Sequence, residues 1–214
     1  MKEAPKLYSY IIPWDGGLAP NPYWEHCTLA ICKPQIRKLA RDGDWVVGLS
    51  PKARGHTFVF AMKVSEILTF GEYFEDKRFE IKKPRLDAED PRFRVGDNFY
   101  QPLGNNLYKQ LPSIHSNVDG TENLKKKERD LSGRHALIAR EFYYSGDSGD
   151  KIPNNLEFLI VGRGYKNQFS QKEIVRFLRY VERFSLGISG NPKDLDRTLK
   201  LIPTSLSLFL SHRT

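Results

Sequence analysis

The sequence predicts an α+β domain, and three observations carry that expectation. Short runs rich in Ile, Val, Phe and Tyr recur between turn residues, as strands do. The pattern Ser170-Gln171-Lys172-Glu173 opens a segment with apolar residues at helical spacing. The turn and strand Gly43-Asp44-Trp45-Val46-Val47-Gly48 stands between a short helix and further strands as the organising element. A chain of 214 residues is enough for one sizeable core, so a single domain over 1–214 is expected, with a loop-rich insertion at about 82–130.

Taken in order, Lys6–Pro13 reads as a strand that ends at its proline. Trp14–Pro22 (WDGGLAPNP) packs two glycines and two prolines of its own into a loop whose shape is set by backbone punctuation. Tyr23–Cys32 reads as an extended run. Pro34, suited to the first helical position, opens a short helix to about Arg41 with Ile36, Leu39 and Ala40 on one side. Asp44–Leu49 is the third strand. His56–Val64 is a longer one with both faces apolar, and Ser65–Phe79 fits an interrupted helix. Pro, Gly, Asn and charge dominate Lys82–Asp130, where loops are expected and Lys125-Lys126-Lys127 reads as a solvated tip, with a phosphate clamp as the alternative. Arg134–Tyr144 and Leu156–Gly162 read as strands. The helix from Ser170 buries Ile174, Phe177, Leu178 and Val181 and leaves Lys172, Arg176, Arg179 and Arg183 outside. Leu195–Leu210 is apolar without a clear period.

A net charge of +8 and a pI near 9.4 favour an anionic partner, nucleic acid first and an acidic membrane surface next. No run approaches the length of a membrane span, and Met1–Lys6 does not read as a secretory leader, so a cytoplasmic protein is expected. Cys27 and Cys32 are an odd number of positions apart, so with both on one strand they fall on opposite faces, which argues against a disulfide or a shared metal site. The five histidines show no ligand spacing. Walker A, dinucleotide, zinc-protease and nucleophile-elbow patterns are all missing, so neither metal nor cofactor is expected.

What remains points to an anion or a base. Trp14 can stack on a base or pack in the core, and Asp15 can accept from a base edge or cap its turn; Asn21 adds a donor and an acceptor. Trp24 follows Tyr23 close behind, an aromatic cluster suited either to base stacking or to core packing. Asn98 and Tyr100 are pocket candidates in a polar loop, with Asn98 equally at home in a turn. Lys33, Arg163 between two glycines, and Arg176 and Arg179 on the basic helix face are the phosphate-binding candidates.

The segments GDWVVGLSP and FVFAMKVSEILTFGEYFED resemble the PUA-like superfamily of EVE, ASCH and YTH-type domains. More narrowly, YIIPWDGGLAPNP, CTLAICKP and GDWVVG resemble the nucleotide-modification-associated domain family of type two, from about Leu7 to Gly164. The resemblance implies a mixed β-barrel with peripheral helices, and a role in phage or bacterial DNA base hypermodification or defence. It maps onto Trp14, Asp15, Asn21, Cys32, Lys33 and Trp45, and implies no catalytic set; the insertion is placed to build or cover a pocket. The expected partner is a nucleotide or DNA carrying modified bases. Two alternatives stand beside binding: a transferase or hydrolase using Asp15 as general base, and a non-catalytic interaction module.

Overall fold

The computed structural model describes residues 4–202. Met1–Glu3, His212 and the 203–210 part of the last apolar stretch lie outside the described residues. In chain order the elements are β1 (Leu7–Ile11), β2 (Cys27–Leu29), α1 (Pro34–Leu39), β3 (Trp45–Leu49), β4 (Phe58–Lys63), β5 (Glu66–Thr69), α2 (Phe70–Glu75), α3 (Pro91–Arg94) and β6 (Tyr100–Gly104). There follow β7 (Leu107–Gln110), α4 (Leu124–Leu131), β8 (His135–Ala139), β9 (Glu141–Tyr144), β10 (Tyr165–Lys166), α5 (Gln171–Val181), β11 (Gly187–Ile188) and α6 (Leu195–Leu199). None of the described helices is long and apolar enough to cross a membrane.

A six-stranded mixed sheet runs β10-β1-β3-β4-β9-β11, and a three-stranded sheet runs β2-β8-β5. β3 is the hinge of the larger sheet: it pairs parallel with β1, Leu7 opposite Trp45, and antiparallel with β4. Asp44 sets its entry by accepting from the amides of Lys6 and Arg41 at 2.8 and 2.9 Å, while Gly43 takes a φ of 87° that a side chain would resist. Side-chain alternation then divides the core. Tyr8, Tyr10, Val46, Phe60 and Met62 face the smaller sheet, whereas Leu7, Trp45, Val47 and Leu49 face α5. The chain passes between these two sheets four times, from β1 to β2, from β2 to β3, from β4 to β5 and from β8 to β9, and the last two passages take only a residue or two, so the sheets meet there at shared corners.

Several expectations are corrected here. The α+β class holds, but the described residues form open sheets and no closed barrel; the outer strands β10 and β11 are two residues each, and neither pairs with the other. Leu156–Gly162 is not a strand: Pro153 starts a 3-10 turn over Asn154–Leu159, since an unbroken apolar run carries no period to tell the two apart. Ser65–Phe79 begins as β5 and turns helical only at Thr69, whose side chain and Glu72 form a capping box. Arg134–Tyr144 is two strands broken at Arg140. Tyr23–Cys32 is extended only over β2, because Trp24 and Glu25 turn to positive φ. The insertion is more than loops. It holds a hairpin, β6-β7, and α4, which contains Lys125–Lys127 and is capped by Asn123.

Gly48 faces the inter-sheet core, where a Cβ would come within 2.4 Å of Ile12 Cδ1 and 2.5 Å of Phe60 Cε1. Gly48→Ala should therefore destabilise the protein by about 1–3 kcal/mol through overpacking. An unchanged urea midpoint would show that the two side chains move aside freely.

Candidate functional site

A cavity of about 600 Å³ opens where the Trp14 loop, the turn after β2, the insertion and α6 meet. Its wall is mostly apolar, with Tyr10, Ile12, Leu18, Ile36 and Ile114, and its lining includes Lys33, Lys126 and Arg129. The insertion contributes Ile114, His115, Lys126 and Arg129, so it builds the cavity as well as flanking it.

The turn after β2 is unusual in its backbone. Cys32 and Lys33 have φ of 55° and 39°, two successive non-glycine residues in the left-handed region, just before Pro34 opens α1. Each such residue costs roughly 1–3 kcal/mol and persists only when its surroundings fix it. Here they do. The Cys32 amide donates to Asp130 Oδ1 at 2.9 Å, and the Cys32 carbonyl accepts from Arg37 Nε at 2.7 Å. Arg37, fully buried, also donates to the carbonyls of His135, at 2.7 Å, and Asp130. Gly133 leaves room for this guanidinium, since a Cβ there would lie 2.4 Å from Arg37 Cζ.

The same Asp130 carboxylate reaches a third chain segment. Its Oδ2 accepts from Tyr100 Oη at 2.9 Å and lies 2.6 Å from His115 Nδ1. A carboxylate only accepts, so Nδ1 carries the proton and Nε2 is left as the basic nitrogen. Nε2 lies 4.0 Å from Cys32 Sγ, and Arg129 Nη2 approaches the sulfur to 3.8 Å. Burial pulls the His115 pKa down, but Asp130 and Cys32 together outweigh it and leave the imidazole above its ordinary value. Burial likewise pushes Asp130 up, and His115, the Cys32 amide and the Arg129 charge together reverse that, leaving the carboxyl below the usual range. Cys32, His115 and Asp130 are thus lined up as thiol, base and orienting carboxylate, with the thiol and imidazole on the cavity wall.

Tyr10 adds a further feature. It is fully buried, lines the cavity, and its hydroxyl has no hydrogen-bond partner. Lys33 Nζ sits 4.3 Å over the Tyr10 ring and donates to the Ile11 carbonyl at 3.3 Å; burial lowers its pKa, as it does for Lys126. Neither lysine pairs with a carboxylate among the described residues.

Trp14 lines the cavity with its ring 39% exposed, its Nε1 donating to Thr198 Oγ1 at 2.7 Å and Arg197 lying over its face. Asp15 is buried and is not among the lining residues; both its oxygens accept from Tyr144 Oη, at 2.7 and 2.9 Å, and burial raises its pKa. Asn21 is fully buried between the Gly17 and Val95 carbonyls and the buried ammonium of Lys82. Asn98 donates to the Tyr73 and Phe79 carbonyls. Trp24 stacks on Phe93 with ring centroids 4.4 Å apart. Arg163 is exposed beside Gly164, which lines the cavity. Arg176 and Arg179 lie exposed on α5, which packs on the other face of the large sheet. Cys27 and Cys32 are both free, Cys27 in the core. Among the described residues, no group of three or more His, Cys, Asp or Glu could hold a metal ion. Sequence reasoning missed His115 and Asp130, since nothing in the spacing of residues 32, 115 and 130 announces that they meet.

A family model described as nucleotide modification associated domain 2 matches residues 4–199, which takes in α5 and α6 as well as the motifs up to Gly164. Comparison with curated proteins and with solved structures gives no match.

The His115–Asp130 pair makes stability depend on pH. A histidine whose folded pKa is raised contributes stability that is fully present below about pH 6.5 and is lost as the pH rises through the raised value. His115→Gln should therefore lower the urea midpoint more at about pH 6 than at about pH 9. An equal deficit at both would contradict the charged pair.

Proposed function

We propose that this chain, which belongs to the nucleotide modification associated domain 2 family, holds a modified base or nucleotide in the cavity between the Trp14 loop and the Cys32 turn. Family membership supports a role in nucleotide modification; the binding mode is inferred from the chemistry of the lining. The observation that carries it is the union in one cavity of an apolar wall with two lysines that pair with no carboxylate among the described residues, Lys33 and Lys126, beside Arg129, whose guanidinium lies 3.4 Å from Asp130 Oδ1. Tyr10, Ile12, Leu18, Ile36 and Ile114 offer a base a dry surface, and the exposed Trp14 ring a stacking partner. Lys33, Lys126 and Arg129 offer a phosphate its counter-charge. A volume of about 600 Å³ lies inside the range of small-molecule sites.

In this reading Arg163, next to the cavity, extends the cationic rim toward a flanking phosphate, while Arg176 and Arg179 act only through the long-range field of a chain carrying +8. The partner is DNA with modified bases or the nucleotides that compose it, and the setting is DNA base hypermodification or defence in the cytoplasm.

Fluorescence titration with deoxynucleoside 5′-monophosphates, 5-hydroxymethyl-dCMP included, at low salt tests this. Lys126→Ala with Arg129→Ala removes two charge-assisted hydrogen bonds worth roughly 1.5–3 kcal/mol each. Affinity for the nucleotide should drop at least about tenfold, with the phosphate-free nucleosides much less affected. Absence of nucleotide binding, or an affinity indifferent to both cations, would overturn the reading.

A further inference from the structure

We propose that Cys32 is a catalytic nucleophile, that His115 is its base and acid, and that the pair removes an acyl group carried on the exocyclic nitrogen of a base bound in the cavity. The inference rests on the reading of the cavity as a nucleotide site and adds a reaction to it.

Four features converge on the sulfur. Cys32 sits half-exposed on a left-handed turn that Asp130 and Arg37 hold from both sides of its peptide units. His115 Nε2, 4.0 Å away, is freed as acceptor because Nδ1 is committed to Asp130. Arg129 stands 3.8 Å from Sγ, where its charge favours the developing thiolate. Tyr10, fully buried on the same wall, holds an unpartnered hydroxyl, a donor that the folded protein leaves unused. Cys27 shows the contrast: it is fully buried in the core between the sheets.

The chemistry follows from what these groups can do without an outside oxidant or reductant. Nε2 takes the thiol proton as sulfur attacks the acyl carbonyl carbon, and the Tyr10 hydroxyl donates to the oxyanion that forms. The C–N bond then breaks. Its electron pair goes to nitrogen, which receives the proton back from the imidazolium, so the base leaves with a free amino group and the acyl group remains on Cys32 as a thioester. Water then attacks the thioester carbonyl and gives a proton to Nε2. The carboxylic acid departs and the thiol is restored. Acyl carbon is the fitting electrophile because the amine leaving group needs the proton that His115 has just accepted, and the apolar wall limits water until the base has left.

The test combines binding, trapping and turnover on the full chain. N-acetylated deoxycytidine and deoxyadenosine 5′-monophosphates are incubated with the protein, quenched in acid and analysed by peptide mass spectrometry, with iodoacetamide labelling in parallel. The expected result is an acetyl group on Cys32 and not on Cys27, release of the deacetylated nucleotide, and loss of release by at least about 100-fold in Cys32→Ser and His115→Gln. Tyr10→Phe should lower kcat with little change in nucleotide affinity, and Cys32→Ser should keep that affinity. Iodoacetamide should modify Cys32 well ahead of Cys27, and more slowly in His115→Gln. Nucleotide binding with no acetyl-Cys32, no deacetylation and an alkylation rate indifferent to His115 would overturn the proposal while leaving the nucleotide site standing. Absence of nucleotide binding would overturn the nucleotide site, and the base-linked substrate with it.

Discussion

The carboxylate of Asp130 is the interaction on which the site depends. It is fully buried at the end of α4 and accepts from three segments far apart in sequence: the Cys32 amide, the Tyr100 hydroxyl and the His115 ring. Burying a carboxylate costs several kcal/mol unless its oxygens are satisfied, and here the acceptances from Cys32 and His115 also fix pieces of the cavity wall. Arg37 completes the arrangement from the other side, joining the Cys32 carbonyl to the carbonyls of Asp130 and His135. The two left-handed residues at the turn are a consequence: with amide and carbonyl both pinned, the chain has no relaxed alternative. The thiol and imidazole meet for the same reason.

How much of this was legible in the sequence depended on how local each signal was. β1, β3, β4, α1 and α5 follow from period, Pro34 and the Ser170 capping box, all of them contained within a few residues. Trp14 and Lys33 were singled out from local composition, and the structure places both on the cavity wall. Asn21 and Asn98 carried the same polar, loop-like signature, but their amides are spent on buried carbonyls, which only tertiary contact could reveal. His115 and Asp130 were invisible because loop closure over 83 and 98 positions leaves no periodic trace. The break between β5 and α2 was legible in principle, since Thr69 and Glu72 form the same capping box as Ser170 and Glu173.

The open architecture has a functional consequence. A closed barrel would have presented its loops around one rim, whereas here two sheets meeting at corners leave a flank on which the insertion packs and supplies one side of the cavity. The charge is distributed accordingly. Lys33, Lys126 and Arg129 gather at the cavity, while the basic face of α5 lies across the large sheet from it. Positive charge is therefore available both for close contact and for long-range attraction of a polyanion.

Asp130 fixes the His115 ring with its proton on Nδ1, so that Nε2 faces Cys32. Proton NMR of protein labelled with ¹⁵N-histidine tests it directly. The expected spectrum shows one Nδ1-bound proton, strongly downfield and slow to exchange, assigned to His115 and lost in Asp130→Asn. A His115 ring whose proton resides on Nε2, or whose signals are untouched by Asp130→Asn, would contradict it.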